Sequence, residues 1–234
     1  MSNYNFPEGE VFLIDKPKGW TSFDVIRKLQ KITKYRKFGH AGTLDPLATG
    51  ILIVCSGKKT KSINDFQEMR KEYEVEFYLG GQTATYDSEM LPVHYKNPTD
   101  ISIKQIQEAI NRSFLGKIQQ TPPVFSAIKV NGQRAYEAAR NGKKIILKSR
   151  EVEVFSFDLK KRTQEELVSF DNGEKYSLPI YKASIECSKG TYIRSLINDL
   201  GENLGVGGYI KELRRVSIGS YSVKDAVSFE ELVI

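Results

Sequence analysis

One carboxylate stands alone in a glycine-rich stretch. Residues 39 to 50 read Gly39-His40-Ala41-Gly42-Thr43-Leu44-Asp45-Pro46-Leu47-Ala48-Thr49-Gly50, and their glycines and proline predict a loop. The loop holds Asp45 and His40, one of two histidines in the chain. A polar, glycine-rich loop of this kind can hold a reactive side chain in place; the plainer role of Asp45 is to cap a turn ahead of Pro46. The apolar run Ile51-Leu52-Ile53-Val54 follows at once and predicts a buried strand, a firm anchor for a reactive side chain.

Other chemistries lack their residues. Around Gly57-Lys58 the first glycine of a phosphate-binding loop is replaced by Leu52, and Lys59 stands where the hydroxyl belongs. Gly205-Val206-Gly207-Gly208-Tyr209-Ile210 lacks the last glycine of a dinucleotide fingerprint and follows a helix pattern, not a strand. Two cysteines and two histidines, widely spread, make no zinc site, and no Gly-x-Ser-x-Gly elbow is present. Chemistry without metal or nucleotide cofactor is expected.

The elements that must position the loop follow from periodicity. Val11 to Ile14 predicts a strand and residues 15 to 19 a turn. Thr21-Ser22-Phe23-Asp24 starts a helix whose Val25, Leu29 and Ile32 face the core. Tyr73, Val75, Phe77 and Leu79 share one face of a strand that Gly80-Gly81 ends; residues 82 to 100 are a polar connection. Ser102 to Gln105 is a capping box, with Ile103, Ile106 and Ile110 on the helix face behind it and Gly116 at its exit. Residues 134 to 140 read as helix, closed by Asn141-Gly142. Strands are expected at 151–157, 180–187 and 216–223, with a polar excursion over 160–177. A helix capped by Thr191 buries Ile193, Leu196, Ile197, Leu200 and Leu204 before Gly205. Helices and strands mix without a regular rhythm, which predicts α+β with a mostly antiparallel sheet.

Composition bounds the partner. The chain has 234 residues, 40% hydrophobic and 27% charged, with 35 Lys and Arg against 29 Asp and Glu. The excess of +6 suits a polyanion. A basic patch of Lys31, Lys34, Arg36 and Lys37, interleaved with Tyr35 and Phe38, abuts the loop, and Lys58, Lys59 and Lys61 follow it; Lys143, Lys144, Lys148 and Arg150 are again basic. No stretch approaches a membrane span, no signal peptide is evident, and Cys55 and Cys187 read as buried free thiols, so a cytoplasmic protein with no membrane association is expected.

The loop closely resembles the signature of the TruB family of tRNA pseudouridine-55 synthases. Four more stretches, in the same order, resemble family motifs: Asp15-Lys16-Pro17 with Gly19 to Ser22; Lys71-Glu72-Tyr73 with Leu79-Gly80 and Thr83 to Asp87; Thr121-Pro122-Pro123 through Lys129 with Tyr136; and Cys187 to Arg194 with Leu213-Arg214-Arg215. The resemblance implies a pseudouridine synthase fold, a twisted, mostly antiparallel sheet flanked by helices with a central active-site cleft. It implies isomerisation of one T-arm uridine in tRNA without cofactor. It puts Asp45 at the catalytic aspartate, Arg194 at the arginine paired with it, Tyr73 at the tyrosine that stacks on the base, and His40, Tyr192 and Leu213 along the uridine pocket. Attack by Asp45 on the pyrimidine ring and on the anomeric carbon both fit one carboxylate. Residues 1–234 are expected to form one catalytic domain, a monomer, without the extra C-terminal RNA-binding domain of longer relatives. The competing readings are a synthase acting on another uridine and a non-catalytic RNA-binding or tRNA-chaperone protein; an intact Asp45 and Arg194 oppose the second.

Overall fold

A computed structural model describes residues 4–130, 133–141, 145–229 and 231. The stop at Gly142, the cations Lys143 and Lys144, and Glu230 with residues 232–234 lie outside the described residues. In chain order the elements are β1 (Val11–Lys16), α1 (Ser22–Thr33), β2 (Phe38–His40), β3 (Thr49–Ser56), α2 (Ile63–Glu68), β4 (Lys71–Leu79), α3 (Ile103–Ser113), β5 (Gly116–Gln120), β6 (Lys129–Val130), β7 (Gln133–Arg134), α4 (Ala135–Arg140), β8 (Arg150–Ser169), β9 (Lys175–Cys187), α5 (Ile193–Asn203), β10 (Gly208–Ile218) and β11 (Tyr221–Ser222). Two compact units result, residues 1–74 with 213–234, and residues 75–212. The chain crosses from one to the other within β4 and again within β10.

In the first unit β3 is central. Its Ile51-Leu52-Ile53-Val54 run is fully buried, each side chain contributing about 1.5–3 kcal/mol relative to exposure. β1 pairs antiparallel with it from Val11 opposite Cys55 to Lys16 opposite Gly50. β2 also pairs antiparallel, His40 opposite Val54, and must therefore take the other edge. There β10 runs parallel, with Arg215 beside Gly50. The expected loop is thus shorter than 39–50: Gly39, His40, Thr49 and Gly50 belong to strands, because the backbone of β3 offers partners at both ends. Asp15 and Lys16 likewise extend β1 instead of forming a turn. Helix α1 starts with the expected box, Thr21 Oγ1 accepting from Asp24 N at 3.0 Å and Asp24 accepting from Thr21 N at 2.8 Å. Val25, Ile26 and Leu29 pack on Phe12, Ile14, Leu52 and Val54. Ile32, expected inside, is 43% exposed in the last turn.

In the second unit β9 and β8 form a long antiparallel hairpin with β5 on the outer edge of β8. The polar excursion expected over 160–177 is the end of this hairpin, closed by Phe170 N donating to Glu174 O at 2.9 Å. Its strands escape pattern reading because residues 160–166 carry polar side chains on both faces and three register shifts break the alternation. Tyr78, Phe170, Leu178, Ile180 and Tyr209 form the core there. Helix α3 keeps its capping box through Ser102 and Gln105; Ile106 and Ile110 are buried, while Ile103, in the first turn, is 46% exposed. Helix α5 buries Ile193, Leu196, Ile197 and Leu200, but its N-cap is Tyr192, since Thr191 Oγ1 donates back to Ser188 O. Strand β10 begins at Gly208, earlier than the expected 216. The last expected strand, 216–223, is the end of β10 turning into β11.

Gly50 has φ +102°, and an added Cβ would lie 2.2 Å from Arg215 O. Gly50→Ala should therefore lower the unfolding free energy by about 3 kcal/mol, from backbone strain plus displacement of β10. Denaturant melts check it; a loss under about 1 kcal/mol would mean that β10 yields freely.

Candidate active site

Asp45 sits half-buried in a loop reduced to residues 41–48, and the backbone of that loop is held from three directions. Ala41 N donates to Ile53 O at 2.9 Å, tying its start to β3. Ser22 Oγ, buried at the start of α1, accepts from Leu44 N at 2.9 Å. Gly19 N donates to Pro46 O at 2.8 Å, and Ala48 N closes a turn onto Asp45 O at 3.1 Å.

Two buried cations complete the frame. Lys16 is 0% exposed, and its Nζ donates to Trp20 O at 2.6 Å, Pro17 O at 3.0 Å and Pro46 O at 3.4 Å. Burial pulls its pKa from 10.5 down to about 8; the charge of Asp45 opposes that shift and the charge of Arg215 adds to it. Arg215 is 1% exposed, and donates from Nε to Ile51 O at 2.9 Å and from Nη2 to Gly42 O at 3.2 Å. Its neighbour Arg214 makes a two-pronged pair with Asp15 at 2.6 and 3.0 Å. Sequence reasoning gave Lys16 and Arg215 no role, although both lie in motifs it singled out, because charged residues are ordinarily solvated.

His40 is half-buried in β2, and its ring lies beside the Gly42 backbone. Burial, then the Arg215 cation, lowers its pKa below the usual 6.5, so the ring is neutral at neutral pH. Tyr73 lies on the buried row of β4, 8% exposed. Leu213 in β10 is half-buried.

In the second unit Arg194 lies buried in the first turn of α5. It is 5% exposed, and donates to Thr85 O at 2.8 Å and Phe125 O at 2.9 Å, with Asp87 Oδ2 at 3.7 Å. Asp87, also buried, accepts Glu89 N, and its carbonyl takes the hydroxyls of Thr83 and Thr85. Asp87 closes the Thr83-to-Asp87 motif, yet an acid in a polar connection gave no sign of burial. Tyr192 is held by its backbone: Gln120 accepts its N–H at 2.8 Å and donates to its carbonyl at 3.0 Å. The Arg150 guanidinium lies 5.0 Å from the centre of the Tyr192 ring. Among the described residues no group of three or more His, Cys, Asp or Glu could hold a metal ion.

Known proteins resemble this chain over nearly all of its length. The family model for the N-terminal domain of TruB family pseudouridylate synthases matches residues 30–193, and that for the C-terminal domain of tRNA pseudouridylate synthase B matches residues 194–234. The chain belongs to the TruB family. Relatives named tRNA pseudouridine synthase B include one from Chloroherpeton thalassium, 45% identical with 97% of this chain and 90% of the relative covered, and one from Flavobacterium johnsoniae, 42% identical with 99% of each covered. Among solved structures, a chain of a Cbf5-Nop10-Gar1 complex is 26% identical with a TM-score of 0.66; 97% of this chain covers 54% of that one. A chain of an H/ACA RNP bound to a substrate RNA, 24% identical with a TM-score of 0.65, shares the fold. The TruB-family chain spans about half the length of these solved chains, and its α+β fold is that of pseudouridine synthases.

The buried lysine makes a pH-dependent expectation. Between pH 8 and 10.5 the unfolded chain keeps a proton on Lys16 that the folded chain has shed, so this residue makes stability rise with pH in that window. The stability difference between wild type and Lys16→Met should climb across it and stay flat below about pH 7. Urea melts over a pH series measure this; a difference that falls or stays level above pH 8 would place Lys16 in contact with water.

Proposed function

We propose that this enzyme isomerises uridine 55 in the T arm of tRNA, with Asp45 as the nucleophile. The observation that carries the reading is the frame around Asp45: a single carboxylate in a loop whose carbonyls are tied up by two buried cations. The names of the full-length relatives support tRNA as the substrate. In the reaction the N1–C1′ bond of the nucleotide breaks and a C5–C1′ bond forms. The proton on C5 leaves and N1 gains one, so atoms and electrons balance without oxidant or cofactor. The uridine must leave its stack to be reached. Tyr73 is proposed to stack on the extruded base, and His40, Tyr192 and Leu213 to line its pocket. Arg194 is proposed to serve the ionised form of Asp45. We place the protein in the cytoplasm, acting as a monomer; no helix among the described residues is long and apolar enough to cross a membrane.

Asp45→Asn should retain the fold and lower single-turnover conversion of tRNA at least about a thousandfold, as expected for loss of a nucleophile. Near-normal conversion would remove Asp45 from the chemistry.

Tyr73→Phe should keep uridine docking, while Tyr73→Leu loses a stacking surface worth about 1–3 kcal/mol. Equal tRNA affinity and equal turnover in the two variants would leave Tyr73 a core aromatic.

An isolated T-arm hairpin should be converted at low salt. Lys31, Lys34, Arg36 and Lys37, near the Asp45 loop in sequence, suit local phosphates, whereas Lys58 is already paired with Glu8 at 2.8 Å. A hairpin that stays inert while whole tRNA reacts would show that recognition needs the rest of the molecule. Conversion of a uridine other than 55 in whole tRNA would correct the substrate position.

A further inference from the structure

Helix α1 has one face packed in the core and a second that borders a cavity of about 410 Å³, lined by Gly19, Trp20, Asp24, Arg27, Lys28 and Lys31. The cavity is a shallow, open groove, suited to an extended chain and not to an enclosed small ligand. Its charge is unbalanced. The single acid, Asp24, is committed: its carboxylate accepts Thr21 N at 2.8 Å and Thr21 Oγ1 at 2.6 Å, and pairs with Arg27. Lys28 and Lys31 are exposed and, among the described residues, neither has an ion-pair partner. Positions 27 and 31 are i,i+4 neighbours and 28 and 31 are i,i+3 neighbours, so the three side chains project to one side of the helix.

The cavity is mechanically joined to the Asp45 loop. Its wall starts at Gly19, whose N–H donates to Pro46 O, and Lys16 holds the carbonyl of Trp20 as well as that of Pro46. Trp20 in turn stacks on Phe229 at 5.3 Å. A strand bound here would run next to the segment that presents the carboxylate. Unpaired cations in a concavity beside an aromatic wall match a phosphodiester backbone, which supplies evenly spaced negative charge.

We propose that this α1 groove binds the sugar–phosphate backbone of the substrate RNA flanking the reacting uridine, with Lys28 and Lys31 each neutralising a phosphate. The proposal rests on the assignment of RNA isomerisation to the Asp45 loop. It adds a second contact region, one that anchors the strand and takes no part in bond making. Arg27, restrained by Asp24 and by the Phe23 ring 5.5 Å away, shapes the groove.

The test is RNA affinity over a salt series for K28Q/K31Q, with K160Q/K161Q on the exposed β8–β9 hairpin as a control that removes equal charge. Glutamine keeps helix propensity, and neither lysine on α1 has a partner to lose. The slope of log affinity against log salt should become shallower by about 0.7–0.9 per lost phosphate contact in K28Q/K31Q. Affinity near 0.1 M salt should drop about tenfold or more. The control should keep the wild-type slope. A K28Q/K31Q slope equal to the control's would overturn the proposal, and so would loss of binding to poly-glutamate with RNA binding intact, because the groove would then take an acidic peptide. If wild type itself converts no uridine, the assigned reaction fails instead, which the salt slopes register separately.

Discussion

A buried cation must find acceptors, and in the first unit those acceptors are carbonyls of the segments that surround Asp45. Lys16 and Arg215 have no access to solvent. Taking such a charge out of water costs several kcal/mol unless hydrogen bonds replace the lost hydration. Lys16 finds them at Pro17, Trp20 and Pro46, and Arg215 at Ile51 and Gly42. If the loop shifted, these donors would be left unsatisfied, each at about 1–3 kcal/mol or more. The loop is therefore pinned on both sides of its carboxylate by what its displacement would do to two charges. A nucleophile held in this way needs little reorganisation before reaction.

The same constraint explains features that look unrelated. Gly50 must lack a side chain because β10 brings the backbone of Arg215 against it. That close approach seats the guanidinium beneath Gly42 and Ile51. β1 continues through Lys16 because pairing with Gly50 puts the lysine at the base of the loop. Arg214, one residue away and half-exposed, points to Asp15 and secures the same register from the other face. His40 stays neutral beside these cations, so the loop gathers no third positive charge at neutral pH.

The sequence made some of this readable and hid the rest for physical reasons. The two capping boxes located α1 and α3 because hydroxyl and carboxamide or carboxylate groups at fixed spacing have few other uses. Ile51 to Val54 announced β3 by a run that only a two-sided core accepts. Ile32 and Ile103 were misplaced because they lie in terminal turns, where a periodic face has already left the core. β2 and the first half of β10 were missed because Gly39, Gly207 and Gly208 read as loop, although strands accept glycine where backbones approach closely. Residues 160–166 of β8 are polar on both faces and Leu178-Pro179-Ile180 of β9 are buried together, so no alternation marks this end of the hairpin. Asp45, His40, Tyr73, Tyr192, Arg194 and Leu213 came from ordered motifs. Lys16, Asp87 and Arg215 went unassigned because composition treats charge as solvated, and only three-dimensional burial shows otherwise.

Hydrogen exchange at the loop amides tests most directly whether the buried cations hold Asp45 in place. Ala41, Leu44 and Ala48 donate to Ile53, Ser22 and Asp45 respectively. In the wild type they should exchange about as slowly as amides in the centre of β3, through near-global unfolding. In Arg215→Met, with β3 still protected, they should exchange by local opening, orders of magnitude faster. Loop protection unchanged in that variant would contradict the account, and would mean that the loop keeps its shape without the cation beneath it.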